Sequence, residues 1–258
     1  MHTYSGFAQV YDRLMEEAPY QEWLQWVMHL FKREENQPAV LLDAGCGTGT
    51  LLELLLMEGY DAHGLDISED MLAVAQQKVN EKGFYPNFYL QDMTNLQHTG
   101  QYDAILAFCD SLNYITTEDD IRAAFRSFYE HLYEGGLLVF DVHSIYYVEH
   151  ILHDFSFADA ADDVSYIWNT FPVRNKGEVE HELSFFIKEK EETYRRHDEI
   201  HRQRTLPVSH YTSFLKKAGF EVCGIFADFT FERPQHNSER LFFYAKKPVQ
   251  RKEKEINW

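Results

Sequence analysis

Cysteine is scarce in this chain of 258 residues, and the three present, Cys46, Cys109 and Cys223, stand apart from one another among apolar or glycine neighbours. There is no CxxC pair for zinc or redox work, and an odd count gives no disulfide framework, so the composition implies a reducing, cytoplasmic compartment. Positive charge is also short: 24 lysines and arginines face 42 aspartates and glutamates, a formal net charge of −18. That balance opposes docking on nucleic acid, whose nonspecific affinity comes from cationic side chains displacing counterions, although Arg195, Arg196, Arg202 and Arg204 could form a local basic patch. Long apolar runs are missing. The opening MHTYSGFAQVYDRLMEEAPY has no signal-peptide core, and the longest run, Leu51 to Met57, is broken by Glu53 and is too short to span a bilayer. Internal repeats and low-complexity segments are absent. A chain of this length can bury a substantial core without covalent staples, and a single domain over 1–258 is expected.

What is present is a regular alternation. Tyr4, Phe7, Ala8, Tyr11, Leu14 and Met15 recur at helical spacing, as do Trp23, Leu24, Val27, Leu30 and Phe31 beyond Pro19. Two helices are therefore expected over 1–36. AVLLDAG is a short apolar run ending in glycines, which suits a strand covered on both faces, and a helix follows to about Gly59. Strand AHGLD, a helix from Ser68 to about Lys82, strands NFYLQD and YDAILAF, helix TEDDIRAAFRSFYEHLY and strand LLVFDV continue the pattern. Strands alternating with helices make right-handed crossovers, so the reading is an α/β fold with a doubly wound, mainly parallel, seven-stranded sheet. The alternation stops over 144–205, where Val179, Leu183, Phe185 and Ile187 lie at strand spacing without matching helices, and an antiparallel β-rich insertion is expected. Helix VSHYTSFLKKAGF and strands EVCGIFADF and RLFFYAKK resume the winding, and the tail VQRKEKEINW is expected to fray.

In open sheets of this kind ligands sit beyond the carboxyl ends of the strands, where Gly45, Gly47 and Gly49 fall. Glycines allow positive φ and leave no Cβ between backbone and ligand. A tight turn serving helix packing alone would explain one glycine, not three alternating ones. A dinucleotide loop needs G-x-G-x-x-G, whereas here the spacing is G-x-G-x-G with Asp43 in front, an acid poorly suited to pyrophosphate and well suited to a cation.

LLDAGCGTG resembles motif I of the class I S-adenosylmethionine-dependent methyltransferases, whose fold is Rossmann-like. The resemblance implies S-adenosyl-L-methionine as cofactor, with the loop Gly45, Cys46, Gly47 and Gly49 around its amino-acid and ribose part and Asp43 near its ammonium. It further implies that Asp66, with Ile67 behind it in GLDIS, grips the ribose hydroxyls, and that Asp92 and the Met93 N–H in QDM meet the adenine; a helix N-terminal charge is the alternative for Asp66 taken alone. AFCDSLNYI, with Phe108, would supply cofactor- and substrate-facing residues at the fourth strand end. The opening FAQVYDRLMEEAPYQEW looks like a group of bacterial methyltransferases of the YqeM type, which implies N-terminal helices closing over the cofactor with Tyr11 near its carboxylate; ordinary core packing is the alternative for that stripe.

Methyl transfer mainly needs alignment of nucleophile, methyl and leaving sulfur, with a base only where the acceptor must lose a proton. Asp110, Asn113 and Tyr114 are the catalytic candidates because they follow the fourth strand at the crevice, with His143 similarly placed; loop capping or burial is their structural alternative. His197, Glu199 and His201 share a face if RHDEIHRQR is a strand, and that face could be solvated, substrate-facing or, without a recognised spacing, a zinc site. No resident metal is expected. N-P-P-Y or D-P-P-Y is missing after the fourth strand, which with the acidic charge favours a small-molecule acceptor. The insertion is expected to act as a lid or substrate subdomain governing acceptor choice. A nicotinamide oxidoreductase and a non-catalytic cofactor-binding protein are the competing classes.

Overall fold

The computed structural model describes residues 11–15, 17–35, 37–190 and 193–249. The first-helix positions Tyr4, Phe7 and Ala8 and the tail beyond Val249 lie outside the described residues; a helical turn at 11–14 precedes the helix α1, Tyr20–Phe31. The central sheet combines β1 (Val40–Ala44), β2 (Asp61–Asp66), β3 (Phe88–Leu90), β4 (Tyr102–Ala107), β5 (Leu132–His143), β10 (Glu221–Ala227) and β11 (Arg240–Lys246) in the order β10-β11-β5-β4-β1-β2-β3. Neighbours are parallel from β5 through β3, and β11 runs antiparallel to both β5 and β10.

The apolar runs serve both faces because side chains alternate across a strand. Leu42, Ile105, Leu138 and Phe140 pack toward Phe125 and Phe128 of α4 (Glu118–His131) and Tyr211 and Leu215 of α5 (Val208–Ala218). Leu41, Leu106 and Val139 pack on the other side toward Trp23 and Val27 of α1 and Leu52 and Leu55 of α2 (Thr50–Met57). Ser68 caps α3 (Glu69–Glu81) by accepting from the Met71 N–H, and Thr117 caps α4 by accepting from the Asp120 N–H.

The segment 144–205 forms a separate antiparallel sheet of β6 (Ser156–Ala160), β7 (Val164–Pro172), β8 (Glu178–Lys190) and β9 (Thr193–Arg204). A single wide helical turn, Tyr147–Ile151, leads into it and was not expected from the sequence. Both ends of the insertion are tied to the crevice. The Thr205 hydroxyl donates to the His143 carbonyl at 2.5 Å, the Asn113 amide to the Arg204 carbonyl at 2.8 Å, and the Arg204 guanidinium to the Thr116 carbonyl at 2.9 Å.

Gly49, φ +75°, ends the loop into α2 where an added Cβ would lie 2.9 Å from the Ala75 Cβ on α3. Gly49→Ala should therefore destabilise by about 1 to 3 kcal/mol in urea unfolding, through overpacking and backbone strain together. Gly59, φ +91° with open space around it, isolates the strain, and Gly59→Ala should lose clearly less. Equal losses would remove the packing argument.

Candidate active site

A cleft of about 550 Å³ opens beyond the carboxyl ends of β1, β2 and β4. Asp43, Gly45, Cys46, Gly47, Asp66 and Ile67 line its floor, Asp92, Met93, Phe108, Cys109 and Tyr114 its sides, and Tyr11, Ile200, His201 and Arg202 reach it from the covering segments. The volume and the mixture of apolar walls with a few polar groups suit one small-molecule ligand or a ligand pair.

The floor is built by the loop after β1. Gly45, Gly47 and Gly49 all have positive φ, and the three glycines serve different ends. A Cβ on Gly45 would meet the Ser111 Cβ at 2.7 Å, one on Gly49 would strike α3, and one on Gly47 would meet only the Tyr11 ring at 3.9 Å. Gly47 is thus the position that leaves backbone bare beneath Tyr11. Asp66 holds the loop, its two oxygens accepting from the Gly47 and Ser68 N–H groups at 2.9 Å each. A carboxylate has about four acceptor sites, so it retains capacity for a diol.

Asp43 is 3 % exposed, and its Oδ2 has no hydrogen-bond partner among the described residues. Burial, reinforced by Asp66, pushes its carboxyl up to about 7. A buried carboxylate with a bare oxygen on a ligand-sized cleft is suited to a cationic partner. Two acids with no opposing lysine or arginine on the floor among the described residues suit a ligand carrying an ammonium and hydroxyls better than one carrying a pyrophosphate.

Tyr11 is held over the loop by its neighbours. Asp12 accepts from the Thr48 hydroxyl at 2.5 Å and pairs with Lys78 at 2.6 Å, and Tyr11 and Leu14 pack with Met71, Leu183 and Phe185. The insertion therefore shares a core with the segment covering the glycine loop.

The catalytic candidates separate. Tyr114 is 46 % exposed and lines the cleft, whereas Asp110 and Asn113 are not among the lining residues. The Asn113 amide bridges two chain segments, donating to Arg204 and accepting from the His143 N–H at 2.9 Å. The Asp110 carboxylate turns away to the Arg240 guanidinium at 3.2 Å, His143 at 3.5 Å and the Gln203 amide at 2.7 Å. Burial alone would raise its carboxyl, but His143, Arg240 and the Gln203 hydrogen bond outweigh that and hold it well below the usual carboxylate range. Asp110 is thus an ionised partner within the scaffold, and its carboxylate is directed away from the cleft lining. Asn113 is likewise engaged with backbone groups at both ends of its amide.

Sequence reasoning missed the rest of this network. Arg240 also binds Asp141 at 2.5 Å, and Asp141 accepts from the Trp23 indole at 2.9 Å. Gln203 meets His181 at 3.2 Å, and His181 accepts from the Trp168 indole at 3.1 Å. Cys109 and Asp110 adopt positive φ of 55° and 50°, a strained pair held by the Asp110 N–H donating to Asp141 at 3.1 Å. Two adjacent non-glycine residues in the left-handed region leave no trace in composition or periodicity.

His197, Glu199 and His201 do share a strand face, but Glu199 and His201 are each 5 % exposed, so that face is not solvated. Among the described residues no group of three or more His, Cys, Asp or Glu side chains is disposed to hold a metal. No helix among the described residues is long and apolar enough to cross a membrane.

Residues 41–136 match the family described as a methyltransferase domain. A protein of Geobacillus sp. (strain WCH70) provisionally named a methyltransferase is 46 % identical over 246 residues, covering 95 % of this chain and 100 % of its own length. YqeM of Bacillus subtilis (strain 168), provisionally named in the same way, is 42 % identical over 95 % of this chain and 97 % of its own. The dTDP-3-amino-3,4,6-trideoxy-alpha-D-glucopyranose N,N-dimethyltransferase of Streptomyces venezuelae is 26 % identical, covering 76 % of this chain and 81 % of its own. Among solved structures, an S-adenosylmethionine-dependent methyltransferase from Clostridium acetobutylicum ATCC 824 superposes with a TM-score of 0.85 at 28 % identity, covering 95 % of this chain and 99 % of that one.

Proposed function

The chain belongs to the S-adenosylmethionine-dependent methyltransferase family, and from that premise we propose that it transfers a methyl group to a small-molecule acceptor held between the glycine-loop floor and the insertion. The observation that carries the site assignment is the buried Asp43 carboxylate, with one oxygen bare at the floor of a cleft that three positive-φ glycines open. When bound, the cofactor supplies a methyl group activated by a positively charged sulfur.

The residues of the chain supply the rest. Asp43 attracts the cofactor's ammonium, directly or through water. Asp66 offers its remaining acceptor sites to the ribose hydroxyls while it fixes the Gly47 and Ser68 backbone. Ile67 and Met93 are apolar cleft residues suited to a purine face, and Asp92 beside Met93 is suited to its amine. Tyr11 and Phe108 exclude water from the reacting centre. The small-molecule class is supported by the net charge of −18, by the limited volume of the cleft and by the named substrate of the Streptomyces relative. Cytoplasmic residence belongs to this reading on the strength of the three unpaired cysteines.

Melting temperature with S-adenosylmethionine or NAD tests the cofactor, since a ligand at a hundred times its Kd stabilises by about 2.7 kcal/mol. S-adenosylmethionine should raise it and NAD should leave it unmoved. Methyl transfer from labelled cofactor separates an enzyme from a binding protein.

A pH dependence follows from Asp43. Its carboxyl is raised from 3.8 to about 7, so its contribution to stability is full below 3.8 and is lost as pH rises through about 7. A cationic ligand favours the ionised form. Cofactor affinity should therefore rise with pH between about 5 and 7 and then level, with proton release on binding below neutrality, and Asp43→Asn should flatten the profile. Calorimetry in buffers of different ionisation enthalpy reads this directly; a flat wild-type profile would remove Asp43 from cation binding.

A further inference from the structure

We propose that Gln203 of the insertion is a positioning residue for methyl transfer, pinning from behind the Cys109–Asp110 turn that walls the cleft and so tying the reacting geometry to the seating of the insertion; this rests on the methyltransferase reading above. Phe108, Cys109, Ser111 and Tyr114 line the cleft in one short stretch after β4. Within it Cys109 and Asp110 hold positive φ of 55° and 50°, a conformation that non-glycine residues keep only where their surroundings enforce it. Ser111 packs on the glycine loop, close enough that a Cβ on Gly45 would meet its Cβ at 2.7 Å. The position of the turn therefore sets how the wall stands relative to whatever the loop binds.

Three elements hold Asp110 from behind the cleft. The Arg240 guanidinium of β11 meets Oδ1 at 3.2 Å, Asp141 of β5 accepts from the Asp110 N–H at 3.1 Å, and the Gln203 amide of β9 donates to Oδ2 at 2.7 Å. Arg240 and Asp141 belong to the central sheet, whereas Gln203 comes from the insertion. Its bond has a fixed sense. The Trp168 indole can only donate, so His181 Nδ1 accepts at 3.1 Å, the ring proton sits on Nε2, and Nε2 donates to Gln203 Oε1 at 3.2 Å. At the other end an ionised carboxylate can only accept, so the amide must turn its N–H toward Asp110. Burial lowers His181 to about 4, which keeps the ring neutral and the sense of the chain unchanged at physiological pH. His181 and Gln203 are both buried.

A chain that donates in one direction from β7 through β8 and β9 thus ends on the turn that forms the cleft wall. Methyl transfer depends on alignment, and a misplacement of about 1 Å can cost about a hundredfold in rate. Gln203 is not among the residues lining the cleft, so it acts on rate through the wall and not on binding.

The test first alkylates the full chain with iodoacetamide and locates the modified cysteines by mass spectrometry. Gln203→Met keeps the side chain's length but neither hydrogen bond, and should speed alkylation of Cys109 about tenfold relative to the exposed Cys223, because a released turn exposes its thiol. Methyl-labelled S-adenosylmethionine and a small-molecule extract then identify an acceptor for kinetics at saturating cofactor, each variant being measured well below its unfolding midpoint. Gln203→Met should lower kcat about thirtyfold, with acceptor KM within about threefold of wild type and cofactor Kd unchanged. Gln203→Glu still accepts from His181 but sets a second carboxylate against Asp110. Its kcat should be low at about pH 8, and its ratio to the wild-type kcat should recover as pH falls, because a protonated carboxyl donates as the amide did. His181, His143 and Arg240 face that pair and favour ionisation, Asp141 opposes it, and burial holds Cys109 and Tyr147 neutral, so recovery should begin below about pH 7. Unchanged Cys109 alkylation or wild-type kcat in Gln203→Met overturns the inference. A raised KM at unchanged kcat would give Gln203 to the acceptor, a weakened cofactor Kd would give it to the cofactor, and a Gln203→Glu deficit that pH does not relieve would leave it a packing residue; each overturns the inference. Cofactor binding without any labelled product overturns the methyltransferase reading itself, while Cys109 alkylation still decides whether Gln203 pins the turn.

Discussion

Arg240→Ala should destabilise the protein by about 3 to 5 kcal/mol in urea unfolding, the largest loss expected from any single surface-to-crevice substitution. Arg240 sits between Asp141, fully buried, and Asp110, bound at 2.5 Å and 3.2 Å, with its guanidinium over the Trp23 ring at 5.1 Å. Removing it leaves Asp141 without its guanidinium and Asp110 with only His143 and the Gln203 amide beside it, and the penalty is mostly that of the stranded Asp141. The loss should carry an acid signature. Asp110 is held below its ordinary 3.8, so the stability it contributes is present above that value and is lost as pH falls below it. The gap between wild type and Arg240→Ala should therefore narrow as pH drops below about 4. Arg240→Lys should recover part of the loss, since an ammonium replaces the charge but cannot fork to both acids. A pH-independent loss that Lys fails to reduce would assign Arg240 to packing on Trp23 instead of to the ion pairs.

Asp66→Ala should weaken S-adenosylmethionine binding by roughly 2 to 4 kcal/mol, about 30- to 1,000-fold in Kd, because charge-assisted hydrogen bonds to a diol are lost together. The same carboxylate accepts from the Gly47 and Ser68 N–H groups, so part of the loss will come from loosening the glycine loop. Asp66→Asn keeps one acceptor oxygen and should fall between the two, and urea unfolding of each variant measures the loop's share separately. Wild-type affinity in Asp66→Ala by calorimetry would remove Asp66 from the cofactor site.

These two residues mark how far the sequence could be read. Asp66 was legible because it closes a short apolar strand a fixed distance beyond G-x-G-x-G, and strand ends, glycine spacing and acid positions are all local properties. Arg240 was not, because it stands at the edge of RLFFYAKK with nothing nearby in sequence to distinguish it from a solvated terminal charge. Its partners lie 99 and 130 positions away. Asp110 and Asn113 illustrate the same limit from the other side. Position placed them at the crevice, but side-chain direction sends one to an ion pair and the other to two backbone groups. Glu199 and His201 were recognised as a shared face by period two, yet whether that face meets water or a cleft depends on what the insertion packs against.

The sequence by itself determined the order of strands and helices, the mainly parallel sheet with its antiparallel insertion, and the glycine loop with Asp43 and Asp66 at the carboxyl edge. Periodicity and backbone chemistry act within a few residues, and crossover handedness then leaves few topologies. The tertiary structure alone decided which polar groups are spent on the scaffold and which keep a bare atom for a ligand. Burial and hydrogen bonding are set by neighbours far away in the chain, and a carboxylate's charge, partners and use follow from them.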